Sequence, residues 1–339
     1  MIMKLKNFPS VTFVTPTLNS ESIIQECIES VRTLNYPKNK IKMFIMDDGS
    51  TDATKLIVSK YSFCTFIPVK TSGPEEATAI GFKRATTDYV VNLSSDNILP
   101  HQNWLQELLE PLETDRTIAA SESILYTYNK SDKLLNRYFA LFGMNDPVAY
   151  YLGKRDRRTY FESQWHLQAP SQDRGTYYVA DFTERTLPTL GANGFVMRST
   201  LAHLVSRNPK RFSHIDSCVD LIRSGHAKFA FVKTSLWHKS GETFTNYFYK
   251  RRRYALELYF KKQQMRRYHL YNPSYDRIRL GLYIIFSLTL IEPTFQSLRG
   301  FLVVRDGAWF LHPIICFLTT LNYIYTVLFF TLSRFGRRA

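Results

Sequence analysis

The sequence predicts an α/β protein with a Rossmann-like, mostly parallel central sheet, flanking helices and carboxy-terminal membrane-associated helices. Three observations carry that reading. Residues 10 to about 125 alternate apolar strand-like runs with helical periodicity, the pattern of a parallel sheet. Three of those strands end in polar groups, in order along the chain. Two apolar segments, 280–291 and 314–332, close the chain beside a basic stretch.

The elements follow in order. Residues 11–15 form the first strand, and the helix after Ser20-Glu21 shows Ile24, Cys27, Ile28 and Val31 at helical spacing. Residues 42–46 form the second strand, with Ser50-Thr51-Asp52 as cap residues for the next helix. A third strand spans 64–69, Gly73-Pro74-Glu75 turns, and a helix over 75–85 feeds a fourth strand at 89–93. Trp104, Leu105, Leu108 and Leu109 share one helical face. From 125 to 187 no period is sustained; aromatic and basic residues crowd there, and the segment reads as an insert shaping the acceptor side or as a structural cap. Order returns at Leu187-Pro-Thr-Leu-Gly-Ala-Asn-Gly-Phe-Val-Met-Arg198, where Gly191 and Gly194 allow close backbone approach to a ligand. Next come His214-Ile-Asp-Ser-Cys-Val-Asp220 and a strand over 229–232 ending near Trp237-His238.

The strand ends carry the chemistry. Val11-Thr-Phe-Val-Thr-Pro-Thr-Leu-Asn19, Lys42-Met-Phe-Ile-Met-Asp-Asp-Gly-Ser-Thr-Asp52 and Tyr89-Val-Val-Asn-Leu-Ser-Ser-Asp-Asn97 all run from strand into polar loop. In open α/β sheets ligands bind in the crevice outside such strand ends. A carboxylate there accepts hydrogen bonds from a ribose or a base, so three such ends describe a nucleotide site.

Pro16-Thr17-Leu18-Asn19, Asp47 to Asp52 and Ser94 to Asn97 together resemble the motifs of the family 2 glycosyltransferases of GT-A fold, over roughly residues 10 to 245. The resemblance implies a metal-dependent, inverting transfer of a sugar from a UDP- or GDP-linked donor. It assigns nucleotide binding to Pro16, Thr17, Asn19, Asp47, Asp48 and Ser95, with Asp47 also a possible helix cap. It assigns a divalent cation, Mn2+ or Mg2+, to Asp96 and His238, and the donor and acceptor pocket to Gly191, Asn193 and Gly194. The base that deprotonates the acceptor falls at Asp216 or Asp220, with Asp216 preferred and His214 as the alternative. The chain departs from the family pattern at Ser95, an acidic position there, and at Thr78 and Ala79, where a basic residue and an Asn are usual.

Composition bounds the rest. The 339 residues suffice for one large domain or two smaller ones. Cys27, Cys64, Cys218 and Cys316 lie far apart with no metal-ligand spacing and read as buried small hydrophobes. Met1-Ile-Met-Lys-Leu-Lys lacks an apolar core, so no secretory leader is expected. The formal charge is +15, and ten Lys and Arg fall within 250–279 against Glu257 and Asp276. Basic clusters beside apolar segments attract anionic lipid, whereas no helix-turn-helix, zinc or RNA-binding pattern accompanies the charge, so nucleic acid is not an expected partner. Segment 314–332 is near the minimum length of a span, and flanking basic residues suit a hairpin with both ends cytoplasmic; in-plane helices are the alternative.

These features divide the chain into a catalytic domain at 1–245 (a nucleotide-binding half, 1–125, and an acceptor half, 126–245), a basic juxtamembrane segment at 246–279 and a hydrophobic helical hairpin at 280–339. The expected protein is a glycosyltransferase on the cytosolic face of the cytoplasmic membrane. It would use a nucleotide-sugar donor and a lipid-linked or polysaccharide acceptor, in cell-envelope polysaccharide synthesis. The rival readings are a catalytically degenerate membrane scaffold and a sugar nucleotidyltransferase; the latter lacks the Gly-rich basic loop that triphosphate binding needs after the first strand.

Overall fold

The computed structural model of the protein describes residues 7–164, 169–240, 243–257 and 265–335. Lys261, Lys262, Arg337 and Arg338, part of the expected basic flanks, lie outside the described residues. Contacts divide the described chain into two compact units, one of residues 7–127 and 169–239, the other of 128–164, 240, 243–257 and 265–335.

The first unit begins with β1 (Val11–Thr17), buried along its length except at Pro16, as a central parallel strand requires. Helix α1 (Ile24–Arg32) turns Ile24, Cys27, Ile28 and Val31 inward. Strand β2 (Ile41–Asp47), helix α2 (Thr54–Val58) and strand β3 (Cys64–Pro68) follow. Helix α3 (Pro74–Arg84) starts on a proline, carries Glu75 and Glu76 in its first turn and Lys83 and Arg84 in its last, each charge matched to the helix dipole. It lies so close to the sheet that a Cβ on Gly81 would come within 2.3 Å of a Val14 methyl. Strand β4 (Tyr89–Asn92) is wholly buried, and the short β5 (Asn97–Ile98) leads to α4 (Trp104–Thr114), whose Trp104, Leu105, Leu108 and Leu109 are all in the core.

Strand β6 (Ile118–Tyr126) is absent from the sequence reading, because Ser121, Glu122 and Ser123 at its centre break the apolar run although all three are buried. Helices α5 (Leu134–Phe142) and α6 (Pro147–Tyr151) leave for the second unit. The chain returns through β7 (Ser171–Asp173), β8 (Tyr177–Asp181), β9 (Phe195–Arg198), α7 (Ser199–Val205), α8 (His214–Arg223) and β10 (Lys228–His238).

The strand order is β3-β2-β1-β4-β9-β6-β10-β8-β7, with β5 paired to β10. The four strands β3, β2, β1 and β4 are mutually parallel, and β9 inserts antiparallel between β4 and β6, so the second half of the sheet is mixed. Successive strands run outward from β1 to β3, then β4 takes the other side of β1. That reversal opens a crevice at the carboxyl ends of β1 and β4.

The second unit adds α9 (Phe244–Tyr254), α10 (Arg277–Thr289), α11 (Ile291–Val303) and α12 (Leu311–Phe335) to α5 and α6. The insert at 128–164 groups with these helices and not with an acceptor half at 126–245, because its aromatic residues pack on them: Phe142 stacks on His312 at 4.0 Å and meets Trp309 edge-on at 4.8 Å between ring centroids. The apolar segment near 280–291 is two helices bent by 79°, broken at Leu290 (φ 61°), with Pro293 in the next first turn. Among the described residues one helical stretch, Gly307–Phe330, is long and apolar enough to cross a membrane, and α10 with α11 would make a second only if the bent pair acted as one span.

Replacing Gly81 by Ala is expected to cost about 1–3 kcal/mol through overpacking against β1. Urea denaturation followed by circular dichroism checks this; an unchanged midpoint would mean that α3 can lift off the sheet at no cost.

Candidate functional site

The crevice collects the loops after β1, β2 and β4. Asp47, at the end of β2, is almost wholly buried, and its carboxylate accepts from the Gly49 N–H (3.1 Å), the Ser50 N–H (2.9 Å) and the Ser50 hydroxyl (2.5 Å). It therefore holds the turn into α2, the capping alternative of the sequence reading. Asp48 faces the other way and is half-buried. Its N–H donates to the Thr17 carbonyl (3.0 Å), and its carboxylate accepts from the Thr71 N–H (2.8 Å) and hydroxyl (2.9 Å). Of the pair, Asp48 is the one set at the mouth of the crevice.

Asn19 stitches two loops together. It adopts a left-handed backbone (φ 49°), which asparagine tolerates. Its side-chain oxygen accepts from the Thr51 N–H at 2.9 Å, while its own N–H donates to the Ser50 hydroxyl at 2.8 Å. Glu21 and Asp52 reinforce the junction: the Ala53 N–H donates to Glu21 and the Glu21 N–H to Asp52. Pro16 and Thr17 remain within β1 and form its floor, and the Ser95 hydroxyl lies 3.2 Å from that of Ser20. Thr78 and Ala79 are buried on α3, against the sheet.

The pair expected to hold a cation does come together. Strand β10 shifts register against β6 between Val232 and Ser235 and continues to His238, which pairs antiparallel with Asn97. His238 Nε2 thereby lies 3.3 Å from Asp96 Oδ2, with the two side chains 14% and 31% exposed. The Lys239 N–H donates to the Asp96 carbonyl at 2.9 Å, and the imidazole lies 5.7 Å from the Tyr126 ring. Two ligands on adjacent positions of one ion sit about 3 Å apart, so this carboxylate and imidazole fit a divalent cation. Among the described residues no group of three or more His, Cys, Asp or Glu is arranged to hold a metal alone.

The Gly191–Gly194 loop closes another edge. Both glycines have positive φ, and a Cβ would lie 2.9 Å from the His214 carbonyl at Gly191 and 2.9 Å from the Trp104 ring at Gly194. Both glycines permit close approach within the protein itself. The Asn92 amide donates to the Gly191 carbonyl (2.7 Å), and the Asn193 amide to the Tyr126 hydroxyl (3.0 Å). Asp216, in the first turn of α8, is 1% exposed, whereas Asp220 one turn later is half-buried.

Sequence reasoning missed Glu75. Its carboxylate accepts from the His214 N–H at 2.8 Å and lies 2.5 Å from His214 Nδ1. The pair joins the amino ends of α3 and α8 across 139 positions of sequence, a separation no local pattern reveals. Burial, aided by the Asp96 charge, pushes the Cys27 thiol far up, and burial does the same at Cys218; neither is a thiolate nucleophile near neutral pH.

Comparison with known proteins adds the following. Residues 12–179 match the family described as Glycosyl transferase family 2. Glycosyltransferase AglE of Haloferax volcanii is 26% identical over 141 residues, covering 40% of this chain and 46% of that protein. Poly(ribitol-phosphate) beta-N-acetylglucosaminyltransferase TarS of Staphylococcus aureus is 31% identical over 91 residues, covering 25% of this chain and 16% of that protein. The chain thus spans less than half the length of these relatives. A solved structure of the mannosyltransferase PcManGT from Pyrobaculum calidifontis, in complex with GDP-Man and Mn2+, superposes with a TM-score of 0.54 at 15% identity, over 95% of this chain and 87% of that one. This likeness agrees with the GT-A fold.

Asp47→Ala is expected to lower stability by about 1–3 kcal/mol, since it strands two backbone N–H groups, whereas Asp48→Ala should weaken nucleotide binding more than it lowers the melting temperature. Thermal melts beside calorimetric titration separate the two; equal effects on both readouts for both variants would refute this division of roles.

Proposed function

Residues 12–179 give this chain a family 2 glycosyltransferase domain, and on that premise we propose that it is a metal-dependent, inverting glycosyltransferase. It moves a sugar from a UDP- or GDP-linked donor to a lipid-linked or polysaccharide acceptor at the cytosolic face of a membrane. The observation that carries the proposal is the Asp96–His238 pair at the mouth of the crevice. The GDP-Man and Mn2+ bound to the mannosyltransferase of similar fold support the donor class and the ion. The poly(ribitol-phosphate) acceptor named for one relative supports a polymeric, phosphate-bearing acceptor.

Each residue has a task on this reading. Asp48, oriented by Thr71, accepts hydrogen bonds from the nucleoside. Pro16 and Thr17 floor the base site, and the loop stitched by Asn19 and Asp47 keeps Asp48 in place. Asp96 and His238 would hold a divalent cation, whose chemistry there would be to neutralise a leaving diphosphate. The Gly191–Gly194 loop, with Asn193, borders the sugar. Asp216, in the first turn of α8, takes the proton of the acceptor hydroxyl, and it must be ionised to do so. Asp220 is the alternative base.

Titration of UDP, GDP and CMP into the full chain, with and without Mn2+, tests the donor site. One diphosphate is expected to bind at least about tenfold more weakly once EDTA removes the ion or Asp96→Ala or His238→Ala removes a ligand. No binding of any nucleotide would end the transferase reading, and binding without turnover on any donor would favour the non-catalytic scaffold.

Asp216→Asn is expected to lower kcat by about 10²–10⁴-fold with little change in KM for the donor, the range typical of a lost general base. An Asp216→Asn enzyme of ordinary kcat, beside an inactive Asp220→Asn, would move the role one turn along α8. A His214→Gln variant that alone loses activity would assign it to the imidazole held by Glu75.

A further inference from the structure

Helices α10, α11 and α12 turn most of their large aliphatic side chains outward, the reverse of a water-soluble core. On α12 the buried positions are His312, Ile315, Cys316, Thr319, Thr320 and Thr326, only one of them a large aliphatic, whereas Ile314, Leu318, Leu321, Ile324 and Leu328 are exposed. At 100° per residue these two sets occupy opposite faces. The shorter helices follow the pattern: α10 buries Tyr283 and Ser287 and exposes Ile278, Leu282 and Ile285, and α11 buries Pro293, Ser297 and Gly300 and exposes Phe295, Leu298 and Leu302. Small and polar residues between helices, with large apolar ones outside, is the arrangement of helices whose solvent is lipid.

The inner face of α12 decides how it meets that lipid. At its amino end Asp306 pairs with Arg137 at 3.0 Å. Further along, His312 lies 3.0 Å from the Tyr138 hydroxyl and 2.9 Å from Gln296. Further still, the Asn322 amide donates to the Phe248 carbonyl and the Tyr323 hydroxyl to Asp146, itself 3.5 Å from Arg251. The Arg252 guanidinium sits 4.8 Å from the Tyr325 ring. Polar and charged partners thus accompany α12 from Asp306 to Tyr325. A crossing orientation would carry the layer bearing Asp146, Arg251 and Arg252, which meets α12 at Tyr323 and Tyr325 within the apolar stretch Gly307–Phe330, into hydrocarbon, where charged groups are strongly disfavoured.

We propose that α10, α11 and α12 form a monotopic seat: their outward faces sink into one leaflet of an anionic membrane, both ends stay on one side, and α12 does not cross. The bend at Leu290 fits this, because helices of 13 residues each are about 20 Å long, short of the roughly 30 Å hydrocarbon core. Exposed Arg253, Arg277, Arg299 and Arg305 supply a charge complementary to lipid phosphates, their stems free to lie along apolar surface. The inference rests on the membrane-surface part of the proposed function and is independent of the sugar chemistry.

The test adds the full chain to preformed vesicles of mixed phosphatidylglycerol and phosphatidylcholine and follows flotation. Impermeant maleimide labelling of Ser274→Cys and Ala339→Cys, before and after lysis of the vesicles, reads the sidedness. The chain is expected to float, to float less on pure phosphatidylcholine or at high salt, and to label fully at both sites before lysis. Leu318→Glu with Leu328→Glu should cut vesicle binding by about tenfold or more, while Leu56→Glu, in the first unit, should not. Labelling at Ala339→Cys only after lysis would overturn the in-plane seat and leave membrane attachment intact. No flotation would overturn both, and the nucleotide titrations would then still judge the transferase reading alone. Light scattering that shows a lipid-free dimer, dissociated by the paired Glu variant with flotation unchanged, would reassign these faces to a second copy of the chain.

Discussion

Two backbone pairs between β5 and β10, Ile98 with Trp237 and Asn97 with His238, hold the end of the last sheet strand against the loop after β4. The candidate cation site depends on them. Asp96 sits one residue before this pairing and His238 at its last position, so the ladder fixes both side chains before any ion arrives. The register shift in β10 lets the strand reach that far, since a straight continuation along β6 would send alternate side chains to the other face. Trp104 anchors the same region, donating its indole N–H to the Ser235 carbonyl at 2.9 Å while its ring packs against Gly194.

Most polar groups of the crevice loops are spent on one another. Asn19, Glu21 and Asp52 each accept a backbone N–H of the facing loop, and Asp47 accepts those of Gly49 and Ser50 in its own. Loops that leave adjacent strands at a sheet edge expose donors with no ladder partner, and leaving these unsatisfied when partly buried is costly. The acidic run after β2 is therefore first a way of building a rigid rim. Asp48 bonds instead to the loop after β3, accepting from the Thr71 N–H and hydroxyl.

The second unit is built differently. Its aromatic cluster around Phe142, Trp309 and His312 packs closely, yet the outward faces of α10, α11 and α12 are apolar. The buried Lys154–Asp276 pair, at 2.7 Å with the Leu270 carbonyl as a further acceptor for Lys154, shows the same concern for satisfying charge on the inner side. Desolvation lowers the Lys154 pKa while Asp276 opposes the shift.

Local pattern by itself determined the parallel half of the sheet. The apolar runs of β1 to β4, the inward stripe of α1 and the cap chemistry after Asp47 all lie within a few residues of the groups that dictate them. The amphipathic and basic tail was legible too, though not its geometry. Only the tertiary structure decided the rest. Strand β6 is written in buried serines and a glutamate, which no apolar period marks. Glycines 191 and 194 serve the protein's own close packing. The split of Asp47 from Asp48, the Glu75–His214 contact and the meeting of Asp96 with His238 depend on which loops face each other. The physical reason is range: helix and strand periodicity is set by neighbours a few residues apart, whereas a side chain's partner at a sheet edge is set by strand order, which sequence-local forces do not encode.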